Sequence, residues 1–223
     1  MKINFKKILP YIKNKQIILV GENHGVAENP LIVKFLLDTI KDKEKISFVG
    51  FEYPPSASEE FINIIKENNF DLLNNNSKAK MLTKDGRFSI YHFNFLVYLY
   101  KNNIPFVFFD SENESWDKRD MEMYKNISKS IKNKKEKVII VAGNIHTTLT
   151  KLTLNNKEYI PLGTYFNLKN SFLINIKYHS GEYYNFGNKK FDKTSMPREN
   201  LIIKNENEAE IHLECANTTL IKK

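Results

Sequence analysis

Two of the five histidines stand in the same short motif, in which a glycine and two further residues precede the histidine. The first motif is Gly21-Glu22-Asn23-His24, and the second runs from Gly143 to His146. A neutral imidazole is a good base near pH 7 and a good metal ligand. The repetition predicts that His24 and His146 share one polar site.

Carboxylates occupy the corresponding positions after two other apolar runs, where Glu52 and Asp110 stand. A carboxylate can orient an imidazole, keep it protonated or join it on a metal ion. One interpretation is a Mn, Zn or Fe site with open positions, and its ligands would be His24, His146, Glu22 and Glu52. The other is a metal-free hydrolysis in which His24 or His146 activates water.

Arginine is rare in a chain that uses lysine almost everywhere, which indicates that a planar guanidinium is needed where it occurs. Arg87 lies in the stretch DGRFS, and Arg119 lies near the start of a predicted helix; either is a candidate to hold an anionic group or an oxyanion. Arg198 is interpreted as a surface residue. Tyr53 and Asn144 directly follow Glu52 and Gly143, and we add both as candidate binding residues.

Several common catalytic motifs are missing from the sequence. It contains no G-x-S-x-G nucleophile elbow, no phosphate loop ending in G-K-[ST] and no H-E-x-x-H zinc motif. The candidate residues therefore belong to none of these three classes of site.

The elements that must position these residues are short apolar runs alternating with segments of helical periodicity. The predicted strands are 17–20, 46–51, 104–109 and 137–142, and the predicted helices are 29–41, 56–67, 88–101 and 117–133. We expect Asn29 to cap the first helix, and Ser56 with Glu59 to form a capping box on the second. This alternation predicts a parallel sheet with helices on both faces, whose strand ends meet at one edge.

The last third of the chain has a different pattern. Short alternating runs, IPLGTYF, FLINIKYHS, GEYYNFG and AEIHLEC, are interpreted as antiparallel or edge strands, and the segment NNNSKAK as a polar loop. The predicted fold class is therefore α/β, with a mainly parallel sheet and a C-terminal antiparallel or edge extension. We expect residues 1–223 to form a single domain.

Charge and composition limit the partners. The net charge of +8 comes from lysines scattered along the chain, with one dense run at 132–137, so there is no strong nucleic-acid signal. The single cysteine, Cys215, cannot form an internal disulfide. No apolar stretch approaches the roughly 18 residues of a transmembrane segment, and the start has no signal-peptide pattern, so we expect a cytoplasmic protein. The sequence does not indicate an oligomeric state.

The order GENHG, FEYP, DGRFS, FFD, RDMEMYKNI, VAGNIHT and IPLGTYF resembles the erythromycin-esterase-like and ChaN-like haem-uptake group of the Tiki superfamily, from about Ile17 to about Gly187. That group includes macrolide esterases, divalent-metal proteases and haem-binding lipoproteins. The resemblance implies a site made of Glu22, His24, Glu52, Arg119 and His146. Arg87 matches the DGR stretch of the ChaN-like branch.

These observations favour a hydrolase that acts on an ester, amide or peptide bond of a small molecule or peptide. The alternative is a haem- or iron-binding protein without turnover, in which the same imidazoles, His24 and His146, ligate iron and the loops around Tyr53 and Tyr91 shield the porphyrin. A third hypothesis is a toxin-like factor whose basic surface reaches anionic membranes or nucleic acid.

Overall fold

Helices and strands follow one another along most of the chain. The computed structural model describes residues 3–112 and 115–219, apart from the side chains of residues 74, 75, 116 and 117. The helices are α1 (Leu9–Ile12), α2 (Asn29–Lys41), α3 (Ser58–Glu67), α4 (Ser77–Lys84), α5 (Ile90–Lys101), α6 (Trp116–Ser130) and α7 (Asn144–Thr147). The strands are β1 (Ile17–Glu22), β2 (Ile46–Phe51), β3 (Phe106–Phe108), β4 (Lys137–Gly143), β5 (Leu152–Leu154), β6 (Lys157–Tyr159), β7 (Ser171–Tyr178), β8 (Glu182–Tyr184), β9 (Asn188–Lys190), β10 (Leu201–Asn205) and β11 (Glu208–Leu213).

A seven-stranded sheet in the order β10-β11-β7-β1-β4-β2-β3 forms the centre of the molecule. Its neighbouring strands are parallel except for the antiparallel pair β10-β11 at one edge. Two further antiparallel hairpins, β5-β6 and β8-β9, lie in the same C-terminal third. The predicted α/β class, with a mainly parallel sheet and C-terminal antiparallel strands, is confirmed.

Two hydrophobic cores cover the two faces of the sheet. Side chains alternate along each strand, so Ile18 and Val20 of β1 pack into the first core while Ile17 and Leu19 pack into the second. Helices α2, α3 and α5 cover the first face, and α6 covers the second through Met123. Burial on both faces explains why the central strands are continuous apolar runs.

The segment FLINIKYHS, residues 172–180, was predicted to be an antiparallel or edge strand, and that prediction is wrong for most of it. Its residues 172–178 belong to β7, which lies inside the sheet and pairs in parallel with β1 on one side and β11 on the other. Phe172 and Ile174 are fully buried, whereas Asn175 and Lys177 are only partly buried. Buried and partly buried residues alternate at the end of this strand, so its sequence resembles that of a half-exposed edge strand.

Two other local predictions were wrong. The segment 160–166 contains a 3-10 helix, Leu162–Tyr165, instead of a strand. The segment NNNSKAK, predicted to be a polar loop, includes the start of α4, whose first turn is capped by Asn76 through a 2.8 Å hydrogen bond from the backbone N–H of Ala79. Only Ala79 and Leu82 of α4 are buried, so its apolar face is too narrow to stand out in the sequence.

Neither predicted N-cap forms. Asn29 is the first residue of α2, and its side-chain oxygen accepts a 2.6 Å hydrogen bond from the Tyr178 hydroxyl. A 3-10 helix, Pro55–Ala57, precedes α3, and the backbone N–H of Ser56 donates to Glu112 instead of entering a capping box with Glu59. Both residues were assigned to local caps, but each makes a tertiary contact instead.

No described helix is both long enough and apolar enough to cross a membrane.

Lys137, at the start of β4, has a buried side chain that caps the end of α1. Its ammonium donates to the carbonyls of Ile12, Lys13 and Lys15 at 2.8, 2.7 and 2.6 Å. Replacing Lys137 by Met should lower the free energy of unfolding by about 2–3 kcal/mol, because these acceptors lose their donor inside the protein. Urea denaturation measures the change, and the exposed Lys134→Met variant is the control. Equal midpoints for the two variants would contradict this role.

Candidate functional site

Four adjacent strands, β1, β4, β2 and β3, bring the candidate residues to one edge of the sheet. Strand β1 is longer than predicted, so Glu22 is its last residue and pairs in register with Gly143 at the end of β4. Glu52 directly follows β2, and Asp110 lies two residues beyond the end of β3. The two histidine motifs are therefore neighbours in space.

The chain leaves β1 and β4 towards opposite faces of the sheet. After β1 it enters α2, which packs in the first core, and after β4 it reaches Leu162 and Phe166, which pack in the second. Connections that diverge in this way leave a crevice beyond the carboxyl ends of the strands.

A pocket of about 750 Å³ occupies this crevice. Eight of the nine predicted site residues line it: Glu22, His24, Glu52, Arg87, Asp110, Arg119, Asn144 and His146. The exception is Tyr53, which does not line the pocket. Its side chain is buried in the first core, and its hydroxyl donates to the carbonyl of Arg87 at 2.9 Å.

Glu52 lies at the centre of the site, between the two imidazoles. Its Oε1 accepts a 2.8 Å hydrogen bond from Arg119 and lies 3.7 Å from Nε2 of His146. Its Oε2 accepts a 2.9 Å hydrogen bond from the N–H of Gly143 and lies 3.6 Å from Nε2 of His24. Burial alone would raise the pKa of Glu52, but the imidazoles and guanidinium groups around it lower that pKa well below its usual value. This carboxylate is therefore ionised.

His24 lies between two carboxylates, because its Nδ1 is 3.4 Å from Glu22 and its Nε2 faces Glu52. Burial lowers the pKa of His24, but the charges of Glu52 and Glu22 and the hydrogen bond to Glu22 outweigh it, so the pKa is raised above 6.5. Burial also raises the pKa of Glu22. The site thus favours the imidazolium form of His24.

His146 has partners that sequence reasoning missed. Its Nδ1 lies 2.8 Å from Oδ1 of Asp120 and 2.9 Å from the hydroxyl of Tyr159. The other oxygen of Asp120 accepts a 2.6 Å hydrogen bond from the N–H of Leu162. Asp120 directly follows Arg119, so a carboxylate next to a candidate arginine was the available signal. No sequence pattern pointed to Tyr159, which lies on the β5-β6 hairpin.

Asp110 accepts hydrogen bonds from both arginines of the pocket. Arg119 binds it with two hydrogen bonds of 2.9 Å, through Nε and Nη2, and Arg87 binds it through Nη1 at 2.5 Å. Arg87 also donates through Nη1 to the carbonyl of Glu52 and through Nε and Nη2 to Asp85. The remaining Nη1 of Arg119 lies 3.4 Å from Nε2 of His146, at the pocket. Arg119 is therefore better placed than Arg87 to donate to a ligand beside His146.

The two histidine motifs are also joined through their asparagines. The side-chain N–H of Asn144 donates to the side-chain oxygen of Asn23 at 3.0 Å. The carbonyl of Asn23 in turn accepts a 2.8 Å hydrogen bond from the side chain of Asn29 at the start of α2. These contacts hold the loops after β1 and β4 together.

The glycines of the two motifs do not serve to turn the chain sharply off the strands. Gly21 lies within β1, and Gly143 has a φ of −56°, which other residues adopt readily. A Cβ atom at Gly143 would lie 3.0 Å from Nε2 of His24, and one at Gly21 would lie 2.5 Å from the hydroxyl of Thr147. Glycine at these positions leaves room for the neighbouring side chains.

The donor set does not fit a Mn, Zn or Fe centre. Within residues 3–112 and 115–219, no three His, Cys, Asp or Glu side chains are arranged to hold a metal ion. Glu52, which lies between the two Nε2 atoms, is already paired with the guanidinium of Arg119, and a metal ion would have to displace that pair. The proposed metal ligands His24, Glu22, Glu52 and His146 thus form part of an ion-pair network.

The aromatic residues expected to shield a porphyrin also lie elsewhere. Tyr53 is in the core, and Tyr91 lines a separate groove between α2 and α5. Neither contributes a flat apolar wall to the pocket that contains the histidines.

No protein-family model matches the chain, and no curated protein does. The chain is similar to the solved structure of a succinoglycan biosynthesis protein, with a TM-score of 0.75, 8% identity, and coverage of 98% of this chain and 92% of the other. A protein from Bacillus cereus gives a TM-score of 0.66, 10% identity, and coverage of 100% and 94%. The type III effector HopBA1 gives a TM-score of 0.52 and 11% identity, with coverage of 94% of this chain and 93% of the other. At these identities the likeness shows a shared fold alone.

Proposed function

We propose that this protein is a hydrolase of an ester, amide or peptide bond, and that its own side chains perform the acid–base chemistry. One observation carries the proposal: the Nε2 atoms of His24 and His146 face the two oxygens of the same buried carboxylate, that of Glu52, 3.6 and 3.7 Å away. A pair of imidazoles held in one pocket with different carboxylate partners suits a base and an acid that work together.

His146 is assigned as the general base. Asp120 accepts a hydrogen bond from Nδ1–H, which places the lone pair on Nε2, the atom that faces Glu52 and Arg119. This tautomer is inferred from the hydrogen-bond partners. A water molecule beside Nε2 would lose its proton to His146 as its oxygen attacks the substrate carbonyl.

His24 is assigned as the general acid, because its carboxylate neighbours favour the imidazolium form. It would donate its proton to the leaving oxygen or nitrogen when the bond to the carbonyl carbon breaks. Arg119 would donate from Nη1 to the oxyanion that forms on the carbonyl oxygen. The proton taken up by His146 then returns to His24 through solvent, so no net proton is consumed in the acid–base cycle.

The resemblance to the erythromycin-esterase-like and ChaN-like group is consistent with this proposal. The residues that it implies, Glu22, His24, Glu52, Arg119 and His146, all line the pocket. The cytoplasmic location and the small-molecule or peptide substrate stay predictions.

The test is turnover on a panel of esters and peptides, with EDTA, Mn²⁺ or Zn²⁺ added. His24→Ala and His146→Ala should each lower kcat/KM by about 10²–10⁴-fold, the usual contribution of a positioned acid or base. EDTA should leave wild-type turnover unchanged, and His179→Ala, which lies outside the pocket, is the control. The wild-type rate should also fall as the pH rises through the raised pKa of His24 and the imidazolium loses its proton, and His24→Ala should lack this limb.

Full activity in both alanine variants would refute the assignment. Absence of turnover on every substrate, together with a Soret band on haem titration, would instead favour the haem-binding alternative.

A further inference from the structure

Three exposed apolar side chains line the pocket, whose floor is charged. Phe186 is 77% exposed, and two other rim residues, Met81 and Ile145, are 45% and 42% exposed. Exposed apolar side chains that occur singly need no explanation, but a group at the mouth of a polar pocket is typical of a binding site.

The backbone holds Phe186 in this position. It lies between β8 and β9 with a φ of 51°, a left-handed conformation that is unfavourable for an aromatic residue. Its N–H donates to the carbonyl of Lys84 at 2.8 Å, and the N–H of Tyr184 donates to Gly25 at 3.1 Å. Added Cβ atoms at Gly25 and Gly86 would lie 1.8 and 2.0 Å from the carbonyl oxygen of Tyr184, so both glycines permit this close approach.

These backbone hydrogen bonds connect the β8-β9 hairpin to the site. Gly25 directly follows His24, and Lys84 directly precedes Asp85, which binds Arg87. Residues of the same loop region as the general acid therefore fix the hairpin that exposes Phe186. The position of Phe186 beside the pocket is thus fixed by backbone contacts to the loops that carry His24 and Arg87.

We infer that the substrate carries an apolar acyl chain, which lies along Phe186 and Met81 while its carbonyl lies beside Arg119 and His146. This inference rests on the proposed function and adds the substrate class. Each methylene that the rim half covers should raise kcat/KM by about twofold, because full burial of a methylene corresponds to about fourfold.

The test compares p-nitrophenyl acetate, butyrate, hexanoate and octanoate as substrates of the full chain. Phe186→Asn removes the ring, and asparagine tolerates a left-handed backbone, so this variant keeps the turn. Leu168→Asn is the control, since Leu168 is 48% exposed and lies outside the pocket. Wild type and Leu168→Asn should prefer octanoate, and the octanoate-to-acetate ratio should fall about tenfold in Phe186→Asn.

Turnover without a chain-length preference, or with a preference that Phe186→Asn leaves intact, would overturn the inference while the hydrolase proposal stands. Absence of any ester turnover would count against the hydrolase proposal, and calorimetric titration with octanamide then decides the inference. Octanamide binding that Phe186→Asn weakens supports an apolar-chain site. The inference is overturned if octanamide does not bind. It is also overturned if the only binding that depends on Phe186 is sedimentation with phosphatidylcholine vesicles.

Discussion

Replacing Glu52 by Gln is expected to remove turnover and to lower the free energy of unfolding by about 3–5 kcal/mol, the usual cost of breaking a buried ion pair. The amide keeps the size of the side chain but not its charge. His24, His146 and Arg119 would then face a neutral group in a buried site, and the N–H of Gly143 would lose a charged acceptor. Urea denaturation and turnover on the best ester measure the two effects.

The pH dependence of stability gives a second measure of the same variant. The pKa of Glu52 is lowered in the folded state, so its stabilising contribution is present above the unfolded value of 4.5 and is lost as the pH falls. The wild-type protein should therefore lose more stability than Glu52→Gln between neutral and acidic pH. Glu158→Gln, an exposed residue paired with Lys151, is the control. Parallel stability curves for wild type and Glu52→Gln would contradict the role of Glu52 as the buried anion.

The second large effect is expected from Asp120, which lies behind His146. Asp120→Asn should lower kcat by about 10²–10⁴-fold, because an amide cannot stabilise the imidazolium and can hold the ring in the wrong tautomer. The fold should survive, since the N–H of Leu162 can still donate to the amide oxygen. Turnover measures the loss of activity, and near-ultraviolet circular dichroism shows whether the fold is retained.

Tyr159→Phe is the matched comparison for Asp120→Asn. The Tyr159 hydroxyl also contacts Nδ1 of His146 but carries no charge at neutral pH, since burial and the nearby Asp120 raise the pKa of Tyr159 well above 10. We expect Tyr159→Phe to keep most of the activity. If Asp120→Asn retained as much activity as Tyr159→Phe, then Asp120 would not be the residue that orients the base.

The prediction that the candidate residues lie together succeeded where it relied on strand ends. Four apolar runs were recognised as strands, and the polar residues that follow them, Glu52, Asp110 and the two histidine motifs, lie at one edge of the sheet. It failed for Tyr53, because a tyrosine next to a site carboxylate looks the same in sequence whether its ring enters the pocket or the core. Sequence also does not show that Arg119 pairs with Glu52, the contact that argues against the metal alternative.

The sequence by itself determined the alternation of strands and helices and the chemical groups at the strand ends, because continuous apolar runs and helical periodicity are local patterns. Only the tertiary structure decided that β4 lies between β1 and β2, so that Glu52 faces both His24 and His146. Packing between distant parts of the chain decides the strand order and the parallel pairing of β7. It also decides that Asp120 contacts His146. The spacing of residues along the chain is a local property, so these long-range contacts could not be predicted from it.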